Sequence, residues 1–368
     1  MKKNIMIYAY SKFNLGDDLF IKLLCERYSN TQFYLYAPKD YDQLFKGVSN
    51  LKIIPNDNIV VRGLRYVLRS LGLSTILNRP QIAKKCDGAV YIGGSLFIQN
   101  KKWNEQLKNN LNKKISGKPL YVLGANFGPY TDNNYYLNYK ELFSGYTDIC
   151  FRDKYSYNLF EDLPNVRLAD DIIFQLDLQT PPRNAKKDNV VISVIKPSKK
   201  HLGDIDEPYY TKIRDIIIYL NEKGYRVTLM SFCEKEGDEL AIEEILKLLP
   251  NEYLNKVDKY CYKYNIEEAI NVIENSIFIV ASRFHSMVLG WVYNKPVFPI
   301  AYSEKMTNVI EDVGFKGLYT NLNQIESLKP EDVYNSIQTN KIDVSKQIQN
   351  SKKHFDKLDE FLITDVRL

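Results

Sequence analysis

The sequence predicts an α/β protein built from two doubly wound, parallel-sheet domains. Short apolar runs alternate with helical stretches along most of the chain, which is the pattern of βαβ units rather than of hairpins. At 368 residues the chain exceeds the usual limit for one hydrophobic core. A polar, proline-rich stretch, Gln179-Thr180-Pro181-Pro182-Arg183-Asn184-Ala185-Lys186-Lys187-Asp188, interrupts the alternation, which then restarts. The expected organisation is an N-terminal domain over 1–178, a linker over 179–188 and a C-terminal domain over 189–340. A helical, charged tail over 341–368 is expected to pack back.

In the first half, strands are expected over 4–10, 32–37, 51–55, 88–92, 120–123 and 148–151, with helices between them. Stretches over 167–171 and 172–174 close that half. In the second half, strands are expected over 189–195, 226–232, 256–261, 277–281 and 296–301. Helices are expected over 207–223, 238–249, 266–275 and from 304 to about 313.

Composition narrows the function classes. Apolar residues make up 45% and charged residues 26%, ordinary for a globular protein and against wholesale disorder. The net charge of +5 is too small for a general nucleic-acid binder, so no nucleic-acid partner is expected. Five cysteines are scattered without a CxxC, which favours reduced thiols in a cytoplasmic protein. Three dispersed histidines offer no metal-ligand cluster, so no metal and no cofactor is expected. Met1-Lys2-Lys3 runs straight into a strand with no cleavage pattern, and no apolar run approaches the roughly 20 residues that span a bilayer. Residues 59–85 stand apart. Arg62, Arg65 and Arg69 recur at helical spacing beside Val61, Leu64, Val67 and Leu68, with no acidic residue between Asp57 and Asp87. The segment reads either as a helix with a solvated basic face or as one lying on anionic lipid, at the inner face of the plasma membrane.

The chemistry concentrates where strands open into helices. The run 277–281 is followed by Ser282-Arg283-Phe284-His285-Ser286, and ligands of open α/β sheets gather at such carboxyl ends. A helix N-terminus there offers free N–H groups to an anion. Arg283 adds a planar fork, and His285 can move a proton near neutral pH. Downstream, Tyr302-Ser303-Glu304-Lys305 opens another helix, with Ser303 expected to cap it. The first half has Asn14-Leu15-Gly16-Asp17-Asp18, Gly93-Gly94-Ser95 and Arg152-Asp153-Lys154-Tyr155-Ser156 at corresponding junctions. Each has a plainer reading as turn, cap or salt-bridged loop. Lys196, Lys199 and Lys200 read as a solvated run, with a phosphate contact as the alternative. His201 and His354 read as structural.

In this order and spacing the junctions resemble the polysaccharide pyruvyl transferase family, over about residues 5–315 and most strongly over 281–305. Two positions depart from the family pattern: Asp18 stands where glutamate is usual, and Ser95 where a third glycine is common. The resemblance implies a GT-B-like pair of Rossmann-like domains with an interdomain cleft. It implies transfer of pyruvyl from phosphoenolpyruvate to two hydroxyls of one sugar, forming a ketal and releasing phosphate. The implied acceptor is a lipid-linked oligosaccharide or surface polysaccharide, meeting the N-terminal domain, where both departures lie. Arg152, His285 and Lys305 fall on the family's functional positions. Arg283 is added from charge and placement as a donor-anion ligand. Ser286, Tyr302, Asn14, Gly16, Asp17, Gly93 and Gly94 are further candidates for substrate contact. The alternatives are a GT-B glycosyltransferase using a nucleotide sugar and a non-catalytic glycan-binding or scaffold protein.

Overall fold

A computed structural model describes residues 2–56, 81–176, 188–200 and 202–363. The chain forms two compact α/β units, as the alternation predicts. One comprises Met1–Ser11, Leu19–Ile172 and Gln349–Leu368, the other Lys12–Asp18 and Ile173–Ile348. The division therefore follows Ile172, and the Asn14–Asp18 stretch, expected with the N-terminal domain, belongs to the second unit.

In the first unit the strands are β1 (Asn4–Ala9), β2 (Gln32–Ala37), β3 (Leu51–Pro55), β4 (Gly88–Ile92), β5 (Leu120–Ala125), β6 (Asp148–Phe151) and β7 (Val166–Leu168). They form a parallel sheet ordered β3-β2-β1-β4-β5-β6-β7. Its central strands are buried along their length, which is why Gly88-Ala89-Val90-Tyr91-Ile92 reads as a continuous apolar run rather than an alternating one. Helices α1 (Leu15–Arg27), α2 (Trp103–Leu111), α3 (Asn133–Ser144) and α4 (Lys154–Asn158) accompany it, with α1 starting in the second unit. The core on one face is rich in aromatic rings, with Phe127 edge-on to Phe160 at 4.8 Å and Phe97 edge-on to Phe143 at 4.9 Å. Such pairs add about 0.5–1.5 kcal/mol each beyond their buried area. The stretch expected over 172–174 is a 3-10 turn, Ile172–Gln175. The tail returns only in part: Gln349–Leu368 belong here, with Asp359 accepting from Tyr28 Oη at 2.6 Å.

The second unit repeats the pattern. Strands β8 (Asn189–Ser193), β9 (Arg226–Ser231), β10 (Val257–Cys261), β11 (Phe278–Ala281), β12 (Val297–Ala301) and β13 (Thr320–Asn321) form a parallel sheet ordered β10-β9-β8-β11-β12-β13. Helices α5 (Asp206–Glu222), α6 (Asp238–Leu248), α7 (Ile266–Glu274), α8 (Phe284–Val292), α9 (Glu304–Asp312) and α10 (Pro330–Thr339) follow. Helix α5 buries Tyr209, Ile213, Ile216, Ile217 and Leu220, one stripe at helical spacing that packs into the same core as Val190, Ile192, Val280 and Phe298. Both sheets run outward from β1 or β8 in one direction, then return to build the other way. The reversal creates a crevice at the carboxyl ends of β8 and β11, the place where such sheets take ligands.

Among the described residues no helix is long and apolar enough to cross a membrane. Of the basic stretch 59–85, residues through 80 lie outside the described residues, and Gln81–Lys85 form a 3-10 turn.

Candidate functional site

The junction after β11 is pinned by hydroxyls. Ser282 N–H donates to the Ser193 carbonyl and Arg283 N–H to Ser193 Oγ, each at 3.2 Å. Tyr209 Oη donates to Ser282 Oγ at 2.8 Å. These contacts tie the β11 exit to the β8 exit, so the start of α8 stands at the crevice. Gly290 lets α8 lie close on the sheet, since a Cβ there would come within 2.5 Å of Val297 Cγ2. Arg283 occupies the N-cap position of α8 without a side-chain cap bond. Ser286 Oγ in the first turn is buried with no hydrogen-bond partner.

His285, half-buried, faces the Asn14 loop. A Cβ built on Gly16 would fall 1.6 Å from His285 Nδ1, so only glycine lets the two meet. The loop is held in this unit independently of the histidine. Leu15 N–H donates to the Phe232 carbonyl at 3.1 Å, and Tyr262 Oη donates to Asp18 Oδ2 at 2.9 Å. Asn14 Oδ1 accepts from Gly16 N–H at 3.1 Å, and its carbonyl accepts from Asp18 N–H, which starts α1. Asp17 is buried beside them. The structure thus brings Asn14, Gly16 and Asp17 together with His285 and Ser286, on the side expected to take the donor.

Arg283 corrects one expectation. Its guanidinium, assigned to the donor's anion, is buried, and its two terminal nitrogens are taken by Glu236 and Asp238. Asp238 Oδ2 also accepts from Phe232 N–H at 2.9 Å and Cys233 N–H at 3.0 Å, locking the loop after β9. A guanidinium so neutralised organises the crevice floor; it does not offer a free fork to a substrate. Glu236 further bonds Lys200. Burial pushes the Glu236 carboxyl up, but Arg283 and Lys200 outweigh it and hold the group well below the usual carboxylate range.

Exposed to this network is Tyr302, at the exit of β12. Lys305 Nζ lies 5.3 Å and Lys200 Nζ 5.6 Å from its ring centroid. Burial raises the phenol, yet Lys305, Lys200 and Arg283 together lower it from the ordinary 10.0 to about 8. Lys305 stands in the first turn of α9. Ser303 occupies that helix's N-cap position, but its Oγ makes no cap bond, unlike the expectation. Lys200 is a half-buried member of this cluster rather than part of a solvated run.

Arg152, Gly93 and Gly94 lie in the first unit. Arg152, at the exit of β6, is buried; its guanidinium donates to Asp171 Oδ2 and Asn126 Oδ1, both at 2.8 Å. Gly94 packs on it: a Cβ there would lie 2.5 Å from Arg152 Nη2. Asn126 N–H donates to the Gly94 carbonyl at 2.8 Å, and Gly93 needs its positive φ of 148° to make the turn. Arg152 therefore knits together the exits of β4, β5 and β6. Asp153 caps α4, accepting from Ser156 N–H at 2.7 Å.

Residues 14–304 match the family described as polysaccharide pyruvyl transferase, a span that runs from the Asn14 loop to the first residue of α9. The chain belongs to that family. Within it, Lys305 stands one residue beyond the matched span, while Arg152, Arg283, His285 and Tyr302 stand inside. The amylovoran biosynthesis protein AmsJ of Erwinia amylovora is 22% identical over 255 residues, covering 63% of this chain; the chain spans 60% of that relative's length. Two solved structures share the fold. The UDP-GlcNAc 2-epimerase of Neisseria meningitidis, solved with UDP-GlcNAc, has a TM-score of 0.57 at 12% identity, covering 97% of this chain and 99% of its own. HepE of Anabaena, solved with UDP and glucose, has a TM-score of 0.56 at 12% identity, covering 99% of this chain and 100% of its own. Both likenesses are of fold: a pair of parallel-sheet α/β domains.

Sequence reasoning missed Glu236 and Asp238, which the fold brings to Arg283 from 45 and more residues away. Their signal was the acidic run Glu234-Lys235-Glu236-Gly237-Asp238 at the exit of a strand, a position where a carboxylate needs a partner.

Proposed function

We propose that the chain transfers the pyruvyl unit of phosphoenolpyruvate to two hydroxyls of one sugar in a lipid-linked oligosaccharide or surface polysaccharide, without a metal or cofactor. Phosphate is the leaving group and a cyclic pyruvate ketal the product. The observation that carries the reading is the crevice of the second unit, where the β11 exit sets His285 against Gly16 and the neighbouring β12 exit carries the Tyr302–Lys305–Lys200 cluster. Family membership supports the reaction class.

The reaction makes three demands. The methylene carbon of the donor must gain a proton, the first sugar oxygen must bond the adjacent carbon while its proton leaves, and the C–O bond to phosphate must break. The second hydroxyl then bonds the same carbon. One hydroxyl proton balances the carbon protonation and the other leaves with phosphate. His285 suits proton transfer: its Nδ1 edge packs against Gly16, which fixes the ring at the crevice. Lys305 supplies positive charge for the phosphate and carboxylate, and the α8 N-terminus with Ser286 adds donors. Arg283 acts through Glu236 and Asp238, and Arg152 holds the strand exits of the first unit.

The test incubates the protein with phosphoenolpyruvate and candidate glycans, and follows phosphate release together with glycan mass. Stoichiometric release with a mass gain of one pyruvyl ketal supports the reading. A gain that requires a nucleotide sugar instead replaces it with glycosyl transfer.

A further inference from the structure

The carboxyl ends of the first unit's strands carry a feature the reaction above does not use. After β4 the chain runs through Gln99 and Asn100 to Trp103 at the start of α2; after β5 it runs through Pro129, Tyr130 and Thr131. These residues line an open groove of about 490 Å³. The walls are tied to each other. Gln99 N–H donates to the Pro129 carbonyl at 3.1 Å, and Gln99 Oε1 accepts from Thr131 N–H at 2.6 Å and Asp132 N–H at 3.1 Å. That leaves the Gln99 amide N–H groups as donors on the groove wall. Asn100 is exposed, its side chain bonded to Lys102 N–H and Gln106.

Both rings of the groove are held from behind by the buried core. Tyr130 stacks on Tyr136 at 6.0 Å and on Tyr135 at 6.1 Å, and Trp103 stands edge-on to Tyr135 at 5.6 Å. Tyr135 itself is fully buried. Trp103 and Tyr130 remain half-exposed, so flat apolar faces meet solvent in fixed orientation. Tyr155, on α4 beside Gly128, extends the aromatic surface at 44% exposure.

We propose that this groove binds a neutral sugar residue of the acceptor glycan. A pyranose presents a C–H face suited to a rigid aromatic plane and a rim of hydroxyls suited to amide and hydroxyl groups. The groove offers both, with Trp103, Tyr130 and Pro129 as planes and Gln99, Asn100 and Thr131 as rim. Pre-set rings cost little ordering on binding. Lys101 is the charged residue among the described lining residues, and none of these is a carboxylate that would select a cation. A nucleotide would call for a phosphate cradle, and the open aromatic groove does not supply one. The assignment rests on the pyruvyl-transfer reading for the sugar's role as acceptor.

The test separates the two. The chain has two tryptophans, and Trp291 is buried at 1% exposure, so a solvent-sensitive change in emission reports Trp103. The full-length protein, without phosphoenolpyruvate, is titrated with β-linked tetrasaccharides of glucose, galactose and N-acetylglucosamine to about 10 mM, past the range of a weak site. At least one is expected to shift Trp103 emission saturably. Tyr130→Leu keeps apolar volume but removes the flat face, and is expected to weaken that binding about tenfold. In turnover the same substitution is expected to raise the KM for the glycan and leave the KM for phosphoenolpyruvate where it is. No emission change with any of the three sugars, or an unaltered affinity in a folded Tyr130→Leu protein, overturns the groove. Saturable sugar binding with no phosphate release from phosphoenolpyruvate leaves the groove standing and overturns the reaction.

Discussion

Replacing Gly16 with alanine adds one methyl at the point where the Asn14 loop meets His285. The new carbon would lie 1.6 Å from Nδ1, 2.3 Å from Cγ and 2.4 Å from Cε1, whereas ordinary contact begins at 3.4 Å. Relief by ring movement alone thus needs at least 3.4 − 1.6 = 1.8 Å. Gly16 has no positive φ and lies in α1, so the backbone accepts alanine, which favours the helix by up to about 1 kcal/mol. Forcing a methyl into packed space costs about 1–3 kcal/mol, so the clash wins, though by a margin that leaves the protein folded. Function is hit harder. Misplacing a catalytic group by about 1 Å can cost about 10²-fold, and the required shift is larger. We expect kcat for phosphate release from phosphoenolpyruvate to fall at least that far, with a thermal midpoint only a few degrees lower. A double-mutant cycle in stability assigns the cause: in a His285→Ala background the added methyl finds no ring, and its effect on the thermal midpoint should vanish. Gly16→Ala turning over at the parental rate, or costing as much stability without the histidine as with it, refutes the placement.

His285→Ala itself should abolish turnover while leaving the circular dichroism spectrum intact; a rate near the parent's would remove its proton-transfer role. Arg283→Met should cost about 3–5 kcal/mol in urea unfolding, because it strands Asp238 as a buried charge; an unchanged midpoint would mean the network is not sealed. Difference absorbance between the parent and Tyr302→Phe should show one of the 28 tyrosines titrating near pH 8, moving upward in Lys305→Met. Since that folded value lies below the ordinary one, the phenolate's stabilisation is present above pH 10 and lost as pH falls through about 8. In the first unit, burial lowers His354 to about 3, with the Arg167 and Arg152 charges adding to it. Its contribution to stability is therefore complete above its ordinary 6.5 and drains away as pH falls toward 3. His354→Leu should flatten the acid limb of the stability curve between pH 6.5 and 4, and an unchanged slope would refute the assignment.

Much of this fold is legible in the sequence because parallel strands buried on both faces must be apolar throughout. Runs such as Asn189-Val190-Val191-Ile192-Ser193 and Phe278-Ile279-Val280-Ala281 leave few other readings. The short β13, two residues long, carries no such signature. The junction carrying Arg283, His285, Tyr302 and Lys305 was legible for the same reason, since strand exits are visible wherever strands are. What each side chain touches was not. Arg283 and His285 look equally available in the linear sequence, yet one is neutralised by Glu236 and Asp238 and the other meets a loop from the far end of the chain. Long-range pairing of this kind leaves no periodic trace. Gly16 was noticed as turn chemistry, whereas its requirement comes from the ring pressed against it. The groove at Trp103 and Tyr130 was invisible because its residues look like ordinary loop and helix-start positions.

The segment Lys12–Asp18 belongs with Ile173–Ile348, and Gln349–Leu368 belong with the opening half of the chain. Each unit therefore closes with a piece of polypeptide encoded at the opposite end of the gene. A fragment that starts after residue 187 would retain every strand of the second sheet, together with His285, Tyr302 and Lys305, yet lack the glycine wall against the imidazole. Dissection into halves would separate the His285 imidazole from its backstop, and a chimaera exchanging the first unit would have to carry residues 12–18 with the recipient's second unit. Swapping the first unit between relatives is thus a three-segment graft, not a single crossover.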